Sequence, residues 1–202
     1  MDGMYDSPVP KLWANTIESH RQEVRAAVVR ATAKLLAQHG LKGVSMSAIA
    51  LDAGIGRATL YKYFTDLDEI LAAWHEDQVA EHVDELRAVA DQPGSAQERL
   101  ARVLSTYADI RRHAGGHGGR ADLVASLHES PGVHRQIARL RQIVEDLIKQ
   151  AVEAGDLRRD VPARELAAFA LAAVGSVATA ASRAAAQRLV GVTLDALSPR
   201  AD

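Results

Sequence analysis

An all-α fold is predicted for this chain of 202 residues, and three observations predict it. Apolar residues recur at steps of three and four along most of the sequence. No run alternates apolar and polar residues as a half-buried strand would, and glycine- or proline-containing breaks fall between the periodic segments. With 48% hydrophobic and 25% charged residues the composition is that of a globular protein, and the chain is long enough for one or two small domains with a real core. Two are expected: residues 1–66, an N-terminal arm followed by a three-helix domain, and residues 67–202, a second helical domain. Cysteine is absent, which excludes disulfides and thiolate metal sites.

Asn15 or Thr16 can cap a first helix in which Val24, Val28, Ala31 and Leu35 keep helical spacing and which His39-Gly40 closes. Ser45 is a good N-cap for a short second helix whose Ile49, Ala50 and Ala53 form a small apolar face. Gly54 ends it, because glycine accepts the left-handed conformation that a helix C-terminus commonly takes. Ile55 can fill the angle between two helices, Gly56 is a tolerable N-cap, and Arg57 to Phe64 supply two further turns. Asp66 caps a fourth helix from Leu67 into the low 90s, where Asp91-Gln92-Pro93-Gly94 breaks it. A fifth helix is expected from Ser95 to about His113, before the glycine run 115–119; Arg120 to Ser130 and Val133 to Ala154 follow, separated by Pro131-Gly132. Gly155-Asp156 ends the longer of these. Val161-Pro162 opens a helix rich in small residues, Ala163 to about Ala186, and Gln187 to Leu197 closes the chain.

Residues 45–64 therefore read as a helix-turn-helix, a device for placing a helix in the DNA major groove. On a wheel at about 100° per residue, Leu60 and Phe64 fall side by side as the buried face. Opposite them lie Ala58, Thr59 and Lys62, with Tyr61 and Tyr63 on the flanks and Arg57 at the helix start. Thr59 can hydrogen-bond a base edge or phosphate, Ala58 can touch a thymine methyl, and the planar fork of Arg57 suits guanine. Lys62 and the two tyrosine hydroxyls suit phosphate oxygens, which position without specifying. Taken singly, Tyr61 and Tyr63 are ordinary half-buried aromatics and Lys62 a solvated charge; the set is what points to DNA. Charge placement agrees, since residues 16–64 hold seven basic against three acidic side chains, a net +4, within a chain of net −2.

Ala53-Gly54-Ile55-Gly56-Arg57-Ala58-Thr59-Leu60-Tyr61-Lys62-Tyr63-Phe64 resembles the signature of the TetR family of bacterial one-component transcriptional regulators. The resemblance extends upstream through Val28 to Gly40, similar to the family's first helix, and downstream to Ile70-Leu71, roughly the first third of the chain. Two positions depart from the pattern. Gly56 stands where the family often has Ser or Thr as the recognition-helix cap. Leu67 stands where it usually carries a lysine that reaches a phosphate, a contact that leucine cannot make. The resemblance implies a three-helix DNA-binding domain, with Ser45, Arg57, Ala58, Thr59, Tyr61, Lys62 and Tyr63 against DNA, and a C-terminal helical domain for ligand binding and dimerisation. It also implies a homodimer on a roughly palindromic double-stranded DNA operator, released by a small, largely apolar effector, with repression as the family default.

By the same resemblance the ligand site belongs to the middle helices. Leu67, Leu71, His75, Val79, His82 and Leu86 step by three or four, so both histidines fall on the apolar stripe, as core histidines or as polar anchors of a pocket. Seven residues apart, they are separated by about 10 Å along the helix, too far to share one metal ion. Trp74, Tyr107, Arg111 and His128 are further candidate lining residues. Residues 166–182 are mostly alanine and slightly short of the roughly 20 apolar residues of a membrane span, so a buried helix is expected. Its Ala167, Ala170, Ala173, Gly175 and Ala178 suit close approach by another helix. In the proteins this segment resembles, the last two long helices form a four-helix bundle across a two-fold axis; a core helix within one chain is the alternative.

No cofactor, metal or catalytic residue is expected. The glycine run near His113 and His117 lacks the Gly-Lys-Ser/Thr ending of a phosphate loop, and reads as a flexible connection or a hinge. His128-Glu129-Ser130-Pro131-Gly132 begins like a zinc-protease motif but carries Gly132 where the second histidine belongs. A helical metal-dependent hydrolase is therefore the runner-up, and a ligand-free helical DNA-binding scaffold the third reading. Met1 to Pro10 has acids and prolines where a signal peptide needs a basic patch and an apolar core, so a cytoplasmic protein is expected.

Overall fold

The structure, a computed structural model, describes residues 11–115 and 130–199. Among these residues every regular element is helical. The chain divides into two compact units, one ending at His75 and one beginning at Glu76.

The N-terminal unit contains α1 (Lys11–His39), a 3₁₀ turn (Leu41–Gly43), α2 (Met46–Asp52), α3 (Arg57–Leu60) and the start of α4 (Leu67–Ala90). Its core is built from the residues that the helical spacing selects on α1, Val24, Val28, Ala31 and Leu35, together with Val44, Ile49, Ala50, Leu60, Phe64, Ile70 and Leu71, all buried. Thr32 is buried among them without cost in hydrogen bonds, because its Oγ1 donates to the Val28 carbonyl at 2.9 Å. One boundary differs from expectation. Helix α1 begins at Lys11, so Asn15 and Thr16 lie inside it; no breaker precedes them after Pro10, and either residue costs a helix interior only some tenths of a kcal/mol relative to alanine.

The C-terminal unit contains the rest of α4, α5 (Ala96–Gly115), α6 (Pro131–Glu153), α7 (Ala163–Gly175), a 3₁₀ segment (Ser176–Thr179) and α8 (Arg183–Leu197). Helix α5 packs on α6, α7, α8 and the 3₁₀ segment, and α7 packs on both α6 and α8. Leu100, Val103, Leu104 and Ala108 of α5 meet Ile143, Val144, Leu147 and Ile148 of α6, Leu166, Ala167, Ala170 and Val174 of α7, and Val190 and Leu197 of α8 in one buried cluster. The start of α5 is closed reciprocally: the Glu98 amide donates to Ser95 Oγ at 3.2 Å and the Ser95 amide to Glu98 Oε2 at 2.9 Å. Among the described residues no helix is long and apolar enough to cross a membrane.

Two boundaries expected for this unit are corrected. Pro131 and Gly132 belong to α6, which starts at Pro131 rather than Val133, with Ser130 Oγ accepting the Val133 amide at 3.2 Å; proline in a first turn has no amide to lose. The helix expected to run from Ala163 to about Ala186 instead stops at Gly175, and α8 starts at Arg183 rather than Gln187. Ser176 and Thr179 turn their hydroxyls back onto the Ala173 and Ser176 carbonyls at 2.6 and 3.2 Å, Ala180 is extended, and Ser182 Oγ accepts the Ala185 amide at 3.1 Å. Local side-chain bonding of this kind competes with the helical ladder. The helix expected over residues 120–130 lies, but for Ser130, outside the described residues.

Gly54 has φ +68, and a β-carbon added to it would meet nothing within 4 Å, so the cost of a side chain there is conformational alone. Gly54→Ala is expected to destabilise the protein by about 1–2 kcal/mol, read as a lowered urea midpoint at unchanged slope.

Candidate functional site

The turn between α2 and α3 fixes what the N-terminal unit presents. Ser45 caps α2, its Oγ accepting the Ala48 amide at 3.2 Å. The left-handed Gly54 then turns the chain, and the Ile55 amide reaches back to the Ala50 carbonyl at 3.0 Å. Leu60 and Phe64 are 0% and 1% exposed, so the face assigned to the interior is the buried one. Arg57, Ala58, Tyr61 and Lys62 are exposed, Ser45 is exposed, and Thr59 and Tyr63 are half-buried. Leu67 opens α4 half-buried.

The recognition segment is less regular than two α-helical turns. Only Arg57–Leu60 is α-helix. Beyond it the Lys62 and Tyr63 amides bond three residues back, to Thr59 and Leu60 at 3.1 and 3.0 Å, before the Phe64 amide returns to the four-back pattern at Leu60. This tightening moves residues 61–63 off an ideal α wheel, since a 3₁₀ turn holds about 3.0 residues.

Helix α1 supports the helix-turn-helix through two basic side chains that spacing alone did not single out. Lys34 pairs with Asp52 at the end of α2. Arg25 Nη1 donates to the Tyr63 carbonyl at 3.0 Å, and the guanidinium lies 4.3 Å from the Phe64 ring centroid. The basic count of the sequence therefore overstates the charge free for DNA. No short-range pattern links residues 38 positions apart, and a lone arginine on a helix reads as solvated.

Of the candidate ligand residues, Trp74 and His75 are half-buried neighbours in the N-terminal unit, their ring centroids 6.4 Å apart. In the C-terminal unit His82 is half-buried beside the buried Val83, which with Leu86 and Ala90 carries the inward face of α4. Between Leu71 and Val83 no residue of α4 is fully buried, and both histidines are among the half-buried ones. Tyr107 packs against the core of α5, and burial pushes its hydroxyl pKa up, an effect that the nearby Arg111 charge partly opposes. Arg111 is half-buried one turn further along the same face. His128 lies outside the described residues, as do His117 and Glu129. Among the described residues no three His, Asp or Glu side chains converge to hold a metal ion.

Gly56 is the N-cap of α3 and lends it no side-chain hydrogen bond. Its φ is −69°, and a β-carbon there would meet only Thr59 Oγ1, at 3.8 Å, so a larger residue fits without strain. Gly56→Ser is expected to raise stability by about 0.5–1 kcal/mol, through the cap and through a less flexible unfolded chain. Calorimetry checks it, an unchanged or lowered melting temperature being the contrary result.

Comparison with known proteins agrees with this geometry. The family model "Bacterial regulatory proteins, tetR family" matches residues 28–74, and "Transcriptional regulator SbtR-like, C-terminal domain" matches residues 103–199. The fatty acid metabolism regulator protein of Bacillus subtilis (strain 168) is 21% identical over 142 residues, covering 68% of this chain and 72% of that protein. Among solved structures, a TetR/AcrR-family transcriptional regulator from Thermobifida fusca is similar with a TM-score of 0.65 at 18% identity, over 86% of this chain and 97% of its own. The regulator FadR from Bacillus subtilis, solved in complex with stearoyl-CoA, has a TM-score of 0.57 at 16% identity, over 86% of this chain and 97% of that one. With one family model over the helix-turn-helix and a second over the C-terminal helices, the chain belongs to the TetR family of DNA-binding bacterial transcriptional regulators, which are not enzymes.

Proposed function

We propose that the protein is a homodimeric, ligand-released repressor that works in the cytoplasm on a roughly palindromic operator. The observation that carries the DNA half is the sidedness of residues 57–64: Leu60 and Phe64 are buried while Arg57, Ala58, Tyr61 and Lys62 are exposed. In this reading residues 1–66 form the DNA-binding domain, and the recognition segments of the two subunits enter successive major grooves about 34 Å apart. Arg57, Ala58 and Thr59 meet base edges; Ser45, Lys62 and the hydroxyls of Tyr61 and Tyr63 meet phosphates.

Residues 67–202 form the ligand-binding and dimerisation domain. Phe169 of α7 and Leu189 and Val192 of α8 are 47%, 42% and 64% exposed on two helices that pack on each other. Exposed large apolar side chains on adjacent helices suit a second copy of the same surface. Ala167 and Ala170, by contrast, are buried within the chain and serve the internal packing of α7, whereas Ala173, Gly175 and Ala178 are half-buried. A small, largely apolar effector is proposed to bind in the C-terminal unit, with His82, Tyr107 and Arg111 as the described candidates for its lining. A relative solved with stearoyl-CoA supports an effector with a large apolar part. An effector that prefers the non-binding separation of the recognition segments by ~3 kcal/mol shifts operator occupancy by about two orders of magnitude. Family membership speaks against the metal-dependent hydrolase.

Lys62→Ala is expected to weaken binding to all duplexes alike and to reduce the salt slope by about 1, whereas Arg57→Ala and Thr59→Ala change preference at particular base pairs; filter binding across a salt series separates the two patterns. Val192→Glu is expected to convert a dimer to a monomer in sedimentation and to lose operator binding with it. A wild-type chain that sediments as a monomer at every concentration would remove the dimer.

A further inference from the structure

The Arg25 guanidinium touches more than the end of the recognition segment. Besides the Tyr63 carbonyl and the Phe64 ring, its Nη1 lies 4.0 Å from Glu69 Oε1 in the first turn of α4. The other oxygen of that carboxylate accepts from the Thr65 amide at 2.8 Å and from Thr65 Oγ1 at 3.1 Å, and the Glu69 amide donates to Asp66 Oδ1 at 2.9 Å. One arginine of α1 and one glutamate of α4 therefore bracket residues 63–66, the end of the recognition segment and its connection to α4.

We propose that Arg25 is a positioning residue for DNA reading, tying the Tyr63 carbonyl of the recognition segment to the first turn of α4, so that the angle of the Arg57–Lys62 face is set by α1 and α4 together. The chemistry suits a guanidinium and not an ammonium. A planar fork with five donors can serve a carbonyl, a carboxylate and an aromatic face at once, whereas the lysine ammonium is a compact charge with three donors and no planar face to lay on the ring. A helix of four residues followed by a tightened turn has little stability of its own, and its closing carbonyls are those that a helix leaves unmatched. Arg25 Nη1 donates to Tyr63 and faces Glu69 while 40% of the side chain stays exposed, and in the proposal the guanidinium serves this joint rather than a phosphate. The same geometry makes Glu69 the point at which a displacement of α4 is felt by the recognition segment.

The proposal rests on the assignment of residues 57–62 to DNA, and Lys62→Ala measured alongside separates failure of that assignment from failure of the joint. The experiment uses the full chain, a duplex recovered by selection from a random pool, and a scrambled duplex of the same length, each titrated with salt. Arg25→Met is expected to lower affinity for the selected duplex about tenfold, the scale of one charge-assisted hydrogen bond, with scrambled-duplex affinity and salt slope unchanged. Arg25→Lys is expected to lose selectivity in the same way although the charge is kept. Glu69→Gln is expected to show a smaller loss in the same direction. Equal loss on both duplexes with a slope reduced by about 1 would make Arg25 a phosphate contact and overturn the proposal; so would full rescue by lysine, or wild-type selectivity in Glu69→Gln. If circular dichroism shows Arg25→Met unfolded, the Lys and Gln variants decide the matter by the same criteria.

Discussion

The burial of Leu60 and Phe64 is the constraint on which the rest of the N-terminal unit depends. The segment between Gly56 and Thr65 is far below the ~12–15 residues at which an isolated helix becomes even marginally stable in water. Its shape is therefore imposed from outside. Two large apolar side chains, 0% and 1% exposed, anchor it in the buried core of the unit, to which Val28, Ile49 and Ile70 also belong. Once they are placed, helical geometry leaves Arg57, Ala58, Tyr61 and Lys62 outward. The left-handed Gly54 sets the direction from which the segment enters, and Ser45 and Asp66 close the helices on either side of it. Removing the apolar anchor would scatter the outward residues even though none of them is touched.

The C-terminal unit works on a different scale. Its α5 has the apolar stripe Leu100, Val103, Leu104 and Ala108 fully buried against three other helices, so most of its stability comes from area removed from water rather than from local caps. The helix ends are nevertheless sharply defined. Gly155, at φ +83, lets the Asp156 amide reach the Ala151 carbonyl at 2.9 Å and stops α6. The apolar residues left outside this core, Phe169, Leu189 and Val192, lie on α7 and α8 and so define the surface through which the proposed dimer would form.

Much of this was legible in the residues, and the parts that were not have identifiable causes. Ser45, Gly54, Asp66 and Gly155 announce helix ends because each acts on its own backbone neighbours, and local chemistry is what a sequence displays. The burial of Leu60 and Phe64 follows from spacing. Gly175-Ser176 and Ser182 carried the break between α7 and α8, but an alanine-rich run with strong helix propensity masked three weak signals that act together. Pro131 was readable as a breaker or as a first-turn residue, and Ser130 one position earlier decides for the latter. The 3₁₀ tightening at residues 61–63 and the contacts of Arg25 depend on packing between distant parts of the chain. The candidate ligand residues were the least legible of all: His75 and His82 share a stripe in sequence with Leu71 and Leu86, yet in the structure the two leucines are buried and the two histidines only half-buried.

The central claim is that the face outward from Leu60 and Phe64 is the face that meets DNA, and side-chain oxidation footprinting of the whole protein tests it most directly. Tyr61 is 49% exposed in the protein alone and should oxidise readily; saturating the protein with a duplex recovered from a random pool should slow that oxidation several-fold, while the half-buried Tyr107 keeps its rate. Equal oxidation of Tyr61 with and without bound duplex would contradict the account.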